Sequence, residues 1–242
     1  NNYKITGSDD EIFEPSYSRL KEHGLLPEKT GWFPERIHKG LNAVILGMHA
    51  REDNPELLKA KELGLKIYSF PEFLYQQTRN KTRIVVGGSH GKTTTTAMIL
   101  FVLNKLKIEA DYMVGAQIEG FDNMVRLSYD SRIAVFEGDE YLTSPLDPRP
   151  KFHLYHPHIA VLTGIAWDHM NVFPTFENYL EQFKKFTDLI ELQGRLIYFD
   201  GDENLNKIVQ QLRRDIVPFP YHTPPYEVRN EITWLKIKNK EI

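Results

Sequence analysis

The chain has 242 residues, 41% hydrophobic and 26% charged, with a formal net charge of −3 at pH 7 and no cysteine. This length allows two ordinary domains, and the absence of thiols excludes disulfides, thiolate catalysis and thiolate zinc sites, so any metal must be held by oxygen or imidazole. The scattered charges give no basic field for nucleic acid, no apolar run reaches membrane-span length, and the first residues resemble no signal peptide; a cytoplasmic protein without nucleic-acid, membrane or obligate protein partners is expected.

Tyr3–Thr6 reads as a strand that ends in Gly7-Ser8-Asp9-Asp10. An acid at such a strand tip commonly meets a ribose hydroxyl, and the alternative is a solvated acidic turn. No G-x-G-x-x-G precedes Tyr3, so the chain reads as starting inside a domain. Ala43–Met48 is a compact apolar strand, and Asp53-Asn54-Pro55 opens a helix over Glu56–Leu63. Leu65–Phe70 is a further strand and Pro71–Gln77 a short helix. The polar run Gln76–Lys81 reads as a linker, with a domain boundary near Arg79.

Beyond it, Arg83–Val86 is a strand and Thr93–Leu103 a helix. Strands are expected at Tyr112–Gly115, Arg132–Phe136, His158–Thr163 and Arg195–Phe199. One helix runs from a Thr175 cap to Ile190 with Phe176, Tyr179, Leu180 and Phe183 on one face, another spans Asn204–Leu212, and Tyr226–Ile242 is strand-like and charged. This alternation predicts an α/β fold with a mostly parallel sheet covered on both faces.

Between the strand at Arg83 and the helix at Thr93 stands Gly88-Ser89-His90-Gly91-Lys92-Thr93. Small residues let the backbone close on an anion, the helix N-terminus faces it, Lys92 adds a point charge and the Thr93 hydroxyl can ligate magnesium. Val86 stands where the general P-loop pattern has glycine, so the loop is tight. Two other strands end in polar chemistry: Ile133–Phe136 runs into Glu137-Gly138-Asp139-Glu140, and Ile159–Thr163 into Gly164 and then Asp168-His169. Ligands of open α/β sheets sit beyond the carboxyl ends of the strands. The acidic segment suits magnesium, and His169 is a candidate for a second magnesium or for the transferring phosphate.

Gly88-Ser89-His90-Gly91-Lys92-Thr93-Thr94, Glu137-Gly138-Asp139-Glu140-Tyr141 and Asp168-His169, in this order, resemble the Mur ligase family of ATP-dependent amide-forming enzymes. The resemblance implies a partial Rossmann-like UDP-sugar-binding domain over residues 1–79, where Ser8 and Asp9 are weak candidates for the sugar nucleotide. It implies a P-loop α/β ATPase domain over 80–242, and a third, amine-binding domain outside this stretch. Gly88 to Thr94 would hold ATP, Lys92 and His169 would be catalytic, Thr93 and Glu137 would hold one Mg²⁺, and His169 would attend a second. Gly164 stands where the family usually has Asn. The segment Asp139–Tyr155 resembles the branch that joins UDP-N-acetylmuramate to the murein tripeptide L-Ala-γ-D-Glu-meso-diaminopimelate through an acyl phosphate, in peptidoglycan recycling. The alternatives are addition of L-alanine to the same sugar nucleotide, or a non-catalytic nucleotide-binding protein of this fold.

Overall fold

A computed structural model describes residues 4–144, 146–237 and 240–241. The chain divides into two compact units, Asn1–Phe73 with Thr143–Pro148, and Leu74–Leu142 with Arg149–Ile242.

In the first unit, helix α1 (Ser16–Glu22) precedes a parallel strand pair, β1 (Val44–Leu46) and β2 (Ile67–Ser69), linked by helix α2 (Pro55–Glu62). The Asn54 side chain accepts the N–H groups of Glu56 and Leu57, and Pro55 occupies the first turn, where its missing N–H costs nothing. Leu57 and Ala60 are the buried face of this helix. Of the strand expected at Tyr3–Thr6, Tyr3 lies outside the described residues, and the described part, Lys4–Thr6, is irregular with Ile5 largely exposed. A strand needs a ladder partner, and in this unit β1 and β2 pair with each other.

Helix α3 (Phe70–Thr78) leads into strand β3 (Thr82–Gly87) and helix α4 (Lys92–Lys105). There follow β4 (Ala110–Met113), β5 (Val125–Arg126), β6 (Ile133–Glu137), the short β7 (Leu142–Ser144) and β8 (Asp147–Pro150), and β9 (Ile159–Leu162). Helix α5 (Phe176–Asp188), β10 (Arg195–Phe199), α6 (Glu203–Val209) and β11 (Val217–Tyr221) complete the layers. The seven-stranded sheet runs β11-β10-β9-β3-β6-β4-β5 and is parallel except for β5. Period-two alternation splits each central strand between two cores. Ile84 and Val135 pack with Leu100 of α4, whereas Val85, Ala134 and Phe136 pack with Phe183 and Phe186 of α5 and Leu205 of α6. Each of the fully buried Val, Leu and Phe side chains among these contributes about 1.5–3 kcal/mol by leaving water. The Thr175 hydroxyl caps α5 by accepting the Asn178 N–H at 3.2 Å, as its place before the apolar stripe predicts.

The polar run that reads as a linker is instead built into this unit. Thr78 is buried in the last turn of α3 and donates its hydroxyl to the Leu74 carbonyl at 2.8 Å. Lys81 pairs with the fully buried Asp111, and Arg83, 1% exposed, donates to the carbonyls of Tyr155, His156, Thr78 and Arg79 and to Glu191. These groups satisfy backbone at the amino ends of the strands, opposite the loops that carry the chemistry.

Strand β11, Val-Pro-Phe-Pro-Tyr, has no counterpart in the sequence reading, because two prolines argue against a strand. It forms because it is an edge. The Val217 N–H donates to Gly194 O, so in this register the alternate nitrogens of Pro218 and Pro220 face away from β10 and no ladder bond is lost. The tail forms an antiparallel meander, β12 (Tyr226–Arg229), β13 (Ile232–Ile237) and β14 (Lys240–Glu241); residues 238, 239 and 242 lie outside the described residues.

Candidate active site

Strands β9, β3 and β6 are immediate neighbours, so their carboxyl ends bring the three polar loops to one edge. The loop after β3 must be glycine-rich for steric reasons: Gly88 has φ 130°, and a Cβ there would stand 2.1 Å from Thr163 Oγ1. Gly91, at φ 79°, turns the chain into α4. The first-turn N–H groups of α4 have no carbonyl one turn back, which is the arrangement that receives a phosphate. Val86 is fully buried inside β3, opposite Glu137, which explains why the loop begins one residue later than the general pattern. His90 and Thr94 are exposed on the loop and the first turn.

Thr93 and Glu137, expected to share a metal, meet directly. The Thr93 hydroxyl donates to Glu137 Oε1 at 2.9 Å, and the Gly115 N–H donates to Oε2 at 2.9 Å. An all-oxygen donor pair beside a phosphate cradle fits magnesium. Lys92 Nζ donates to the Gly88 carbonyl at 2.7 Å and lies 2.8 Å from Oε2 of Glu140, a carboxylate with no exposed surface.

The other Glu140 oxygen accepts the Tyr179 hydroxyl at 3.1 Å, and that hydroxyl is 2.9 Å from Ser89 Oγ in the phosphate loop. Burial, with the Glu140 charge adding to it and the Ser89 hydrogen bond opposing it, holds the Tyr179 phenol above its usual range, so it remains a neutral donor. Ser89 Oγ also accepts the Ala166 N–H and stands 2.7 Å from the Ala166 carbonyl, so that this carbonyl and Tyr179 Oη share its single proton, and this ties the phosphate loop to the segment after β9.

His169 sits in the left-handed region at φ 52°, where its carbonyl accepts the N–H groups of Val172 and Phe173 and its own N–H donates to Asp168 Oδ1 at 2.7 Å. Its ring packs edge-on against Tyr141, with centroids 5.1 Å apart. Nε2 is 3.6 Å from Glu140 Oε1 and 3.8 Å from Asp168 Oδ2, and Glu140, Asp168 and His169 can each offer one atom to a common cation. Two carboxylates and an imidazole fit a divalent ion.

Asp139 does not join this group. It accepts Lys151 Nζ at 2.6 Å and the Tyr141 N–H at 3.1 Å. Burial alone would raise its carboxyl, but the Lys151 hydrogen bond and charge outweigh burial and hold it below the usual range. In the first unit, Ser8 donates to Glu56 Oε1 at 2.7 Å, the same oxygen accepts the Phe33 N–H at 2.7 Å, and the Asp9 carbonyl accepts the Gly31 N–H. Ser8 and Asp9 thus belong to a turn that Glu56 organises. Glu56 was not legible as part of that turn, since position two of a helix is an ordinary place for an acid.

A glycine-rich strand-to-helix loop, its lysine and a threonine–carboxylate pair on the carboxyl edge of a parallel sheet define a P-loop nucleotide-binding domain. A family model, the Mur ligase middle domain, matches residues 86–233. The chain belongs to the Mur ligase family. Among curated relatives, the UDP-N-acetylmuramate–L-alanine ligase of Clostridium botulinum is 27% identical over 231 residues, covering 95% of this chain and 48% of that protein. The enzyme of the same name from Limosilactobacillus reuteri is 32% identical over 225 residues, 92% of this chain and 46% of that one. The chain therefore spans about half the length of these relatives. The crystal structure of UDP-N-acetylmuramate:L-alanyl-γ-D-glutamyl-meso-diaminopimelate ligase from Neisseria meningitides superposes with a TM-score of 0.83 at 21% identity, covering 99% of this chain and 78% of that one. That likeness extends the shared fold across both units.

Proposed function

We propose that the protein containing this chain is an ATP-dependent ligase that joins the lactyl carboxylate of UDP-N-acetylmuramate to the amine of L-Ala-γ-D-Glu-meso-diaminopimelate. The observation that carries the ligase reading is the meeting of Lys92, Thr93, Glu137 and Glu140 at one sheet edge, beside the glycine loop whose backbone would face a nucleotide's phosphates. Phosphoryl transfer demands mainly positioning and neutralisation of charge. In this reading the Gly88–Thr94 loop holds the ATP phosphates and Lys92 offsets charge on the γ-phosphoryl group. A carboxylate oxygen attacks the γ-phosphorus and ADP leaves, giving an acyl phosphate. The amine nitrogen then attacks the acyl carbon, inorganic phosphate leaves, and the amine gives up a proton to solvent. Thr93 and Glu137 would hold Mg²⁺, which supplies charge neutralisation when bound; Asp168, His169 and Glu140 offer a second donor set. The sugar nucleotide would lie against the first unit, with Ser8 and Asp9 in the turn held by Glu56.

Support for the tripeptide comes from the Asp139–Tyr155 segment, while the names of the curated relatives favour L-alanine as the acceptor. Supplying the intact protein with ATP, Mg²⁺ and UDP-N-acetylmuramate, and then either amine, separates the two. Product from L-alanine alone would refute the tripeptide reading, and ATP binding without ADP formation under any condition would refute the ligase.

A further inference from the structure

We infer that Glu140 is a positioning residue for Lys92: a buried carboxylate, oriented by the Tyr179 hydroxyl, that withholds the lysine from phosphate until a cation takes the lysine's place. The inference rests on the nucleotide-binding reading above and adds to it a linkage between cation and nucleotide.

An ammonium has three N–H donors. Lys92 has three close partners: it donates to Gly88 O at 2.7 Å and Ser89 O at 3.4 Å, and it forms an ion pair at 2.8 Å with Glu140 Oε2, which accepts no hydrogen bond among the described residues, so an arriving phosphate competes with this pair. Two of the three are neutral carbonyls of the loop itself. Glu140 is the one carboxylate in ion-pair contact with Lys92 among the described residues, and it presents to the phosphate the same sign that the phosphate carries. Because Glu140 has no exposed surface, it cannot turn to water when the lysine leaves, and a buried carboxylate without a counter-charge is costly.

The replacement is within reach. Oε1 of the same carboxylate lies 3.6 Å from His169 Nε2, in the group formed with Asp168 that can hold a divalent ion. A cation there neutralises Glu140 from the other side and frees Lys92, so the two positive charges exchange at one carboxylate. Tyr179 makes the exchange directional: its hydroxyl holds Oε1 while touching Ser89, and the loop and the carboxylate are thereby fixed together.

The test is the affinity of the intact protein for ADP, measured by titration calorimetry with Mg²⁺ and with a chelator, for wild type, E140Q and Y179F. Gln keeps the volume and the acceptor for Tyr179 but removes the charge. E140Q is expected to bind metal-free ADP about tenfold more tightly, the order of one like charge removed from a partly screened phosphate site, and to lose at least that factor from its magnesium dependence. Y179F, which keeps the charge and releases its anchor, moves the same ratio in the same direction by about threefold. Unchanged or weaker metal-free binding by a folded E140Q overturns the inference; should E140Q fail to fold, an unchanged ratio in Y179F overturns it. A wild type that binds MgADP while the variants keep its magnesium dependence sinks this inference alone. A wild type that binds no ADP under either condition sinks the nucleotide reading and the inference with it.

Discussion

Lys92→Ala tests the site through stability before any turnover is measured. From sequence, Lys92 looks dispensable to the fold, being a loop-end residue with a functional charge. In the structure it is the counter-ion of a carboxylate with no exposed surface, at 2.8 Å. Removing one partner of a buried pair strands the other, which costs about 3–5 kcal/mol. For a chain of this size that is a fall of roughly 6–20 °C in melting temperature, at about 2–4 °C per kcal/mol. The assay is urea unfolding of wild type, K92A and the double variant K92A/E140Q. The double variant no longer strands a charge, and it should recover to within about 1–2 kcal/mol of wild type while still failing to bind nucleotide. If K92A matched wild type in stability, or if the double variant were no more stable than K92A, the buried-pair reasoning would be wrong.

Glu137→Gln should raise the magnesium concentration needed for half-maximal turnover by about tenfold or more, since the Gly115 N–H and Thr93 hydroxyl would keep the side chain in place and only its charge would be gone. An unchanged magnesium requirement removes Glu137 from the metal site. His153, His156 and His158 are each held below the usual imidazole range, mainly by burial. Unfolded histidines titrate near about 6.5, so the unfolded chain takes up protons first and stability is lost as pH falls from about 7 through the window below 6.5. Urea midpoints measured from about pH 7.5 down to about pH 5.5 should fall, and those of His153→Gln should fall less; a rise on acidification would contradict the burial of these rings.

Much of the sheet was legible because buried parallel strands are near-continuous apolar runs, and Arg195–Phe199 and the β3, β6 and β9 segments have that form. What escaped was structure whose local signal is contradicted by its position. β11 is written with prolines that a central strand could not accept, and only its place at the edge, with both nitrogens turned outward, makes it a strand. At the other end of the sheet Thr78 and Lys81, within an otherwise exposed polar run, turn inward to satisfy backbone carbonyls. Polarity alone does not separate these cases; the partner does, and Asp111 lies 30 residues from Lys81 in sequence.

The site divides along the same line. The phosphate loop and the Thr93–Glu137 pair follow from strand ends that are near one another in any sheet where β3 lies beside β6, so the sequence order of motifs carried their geometry. Within the acidic segment, however, β6 ends at Glu137, and the irregular backbone beyond it, with no period-two pattern, decides which carboxylate faces the chemistry. Glu137 ends β6 and meets Thr93, Asp139 turns to Lys151, and Glu140 is the one drawn under the loop to Lys92. Three acids within four residues thus acquire three different partners. Tyr179 was legible only as one more apolar position on α5, because helical spacing reports the ring and says nothing about the hydroxyl. Yet that hydroxyl is what a buried tyrosine must satisfy, and here its partners are the phosphate loop and the carboxylate that holds the lysine. A tyrosine on the core face of a helix that packs under a P-loop is therefore a place to look for the group that orients the loop's lysine, since the phenol's need for a polar partner leads back to the site.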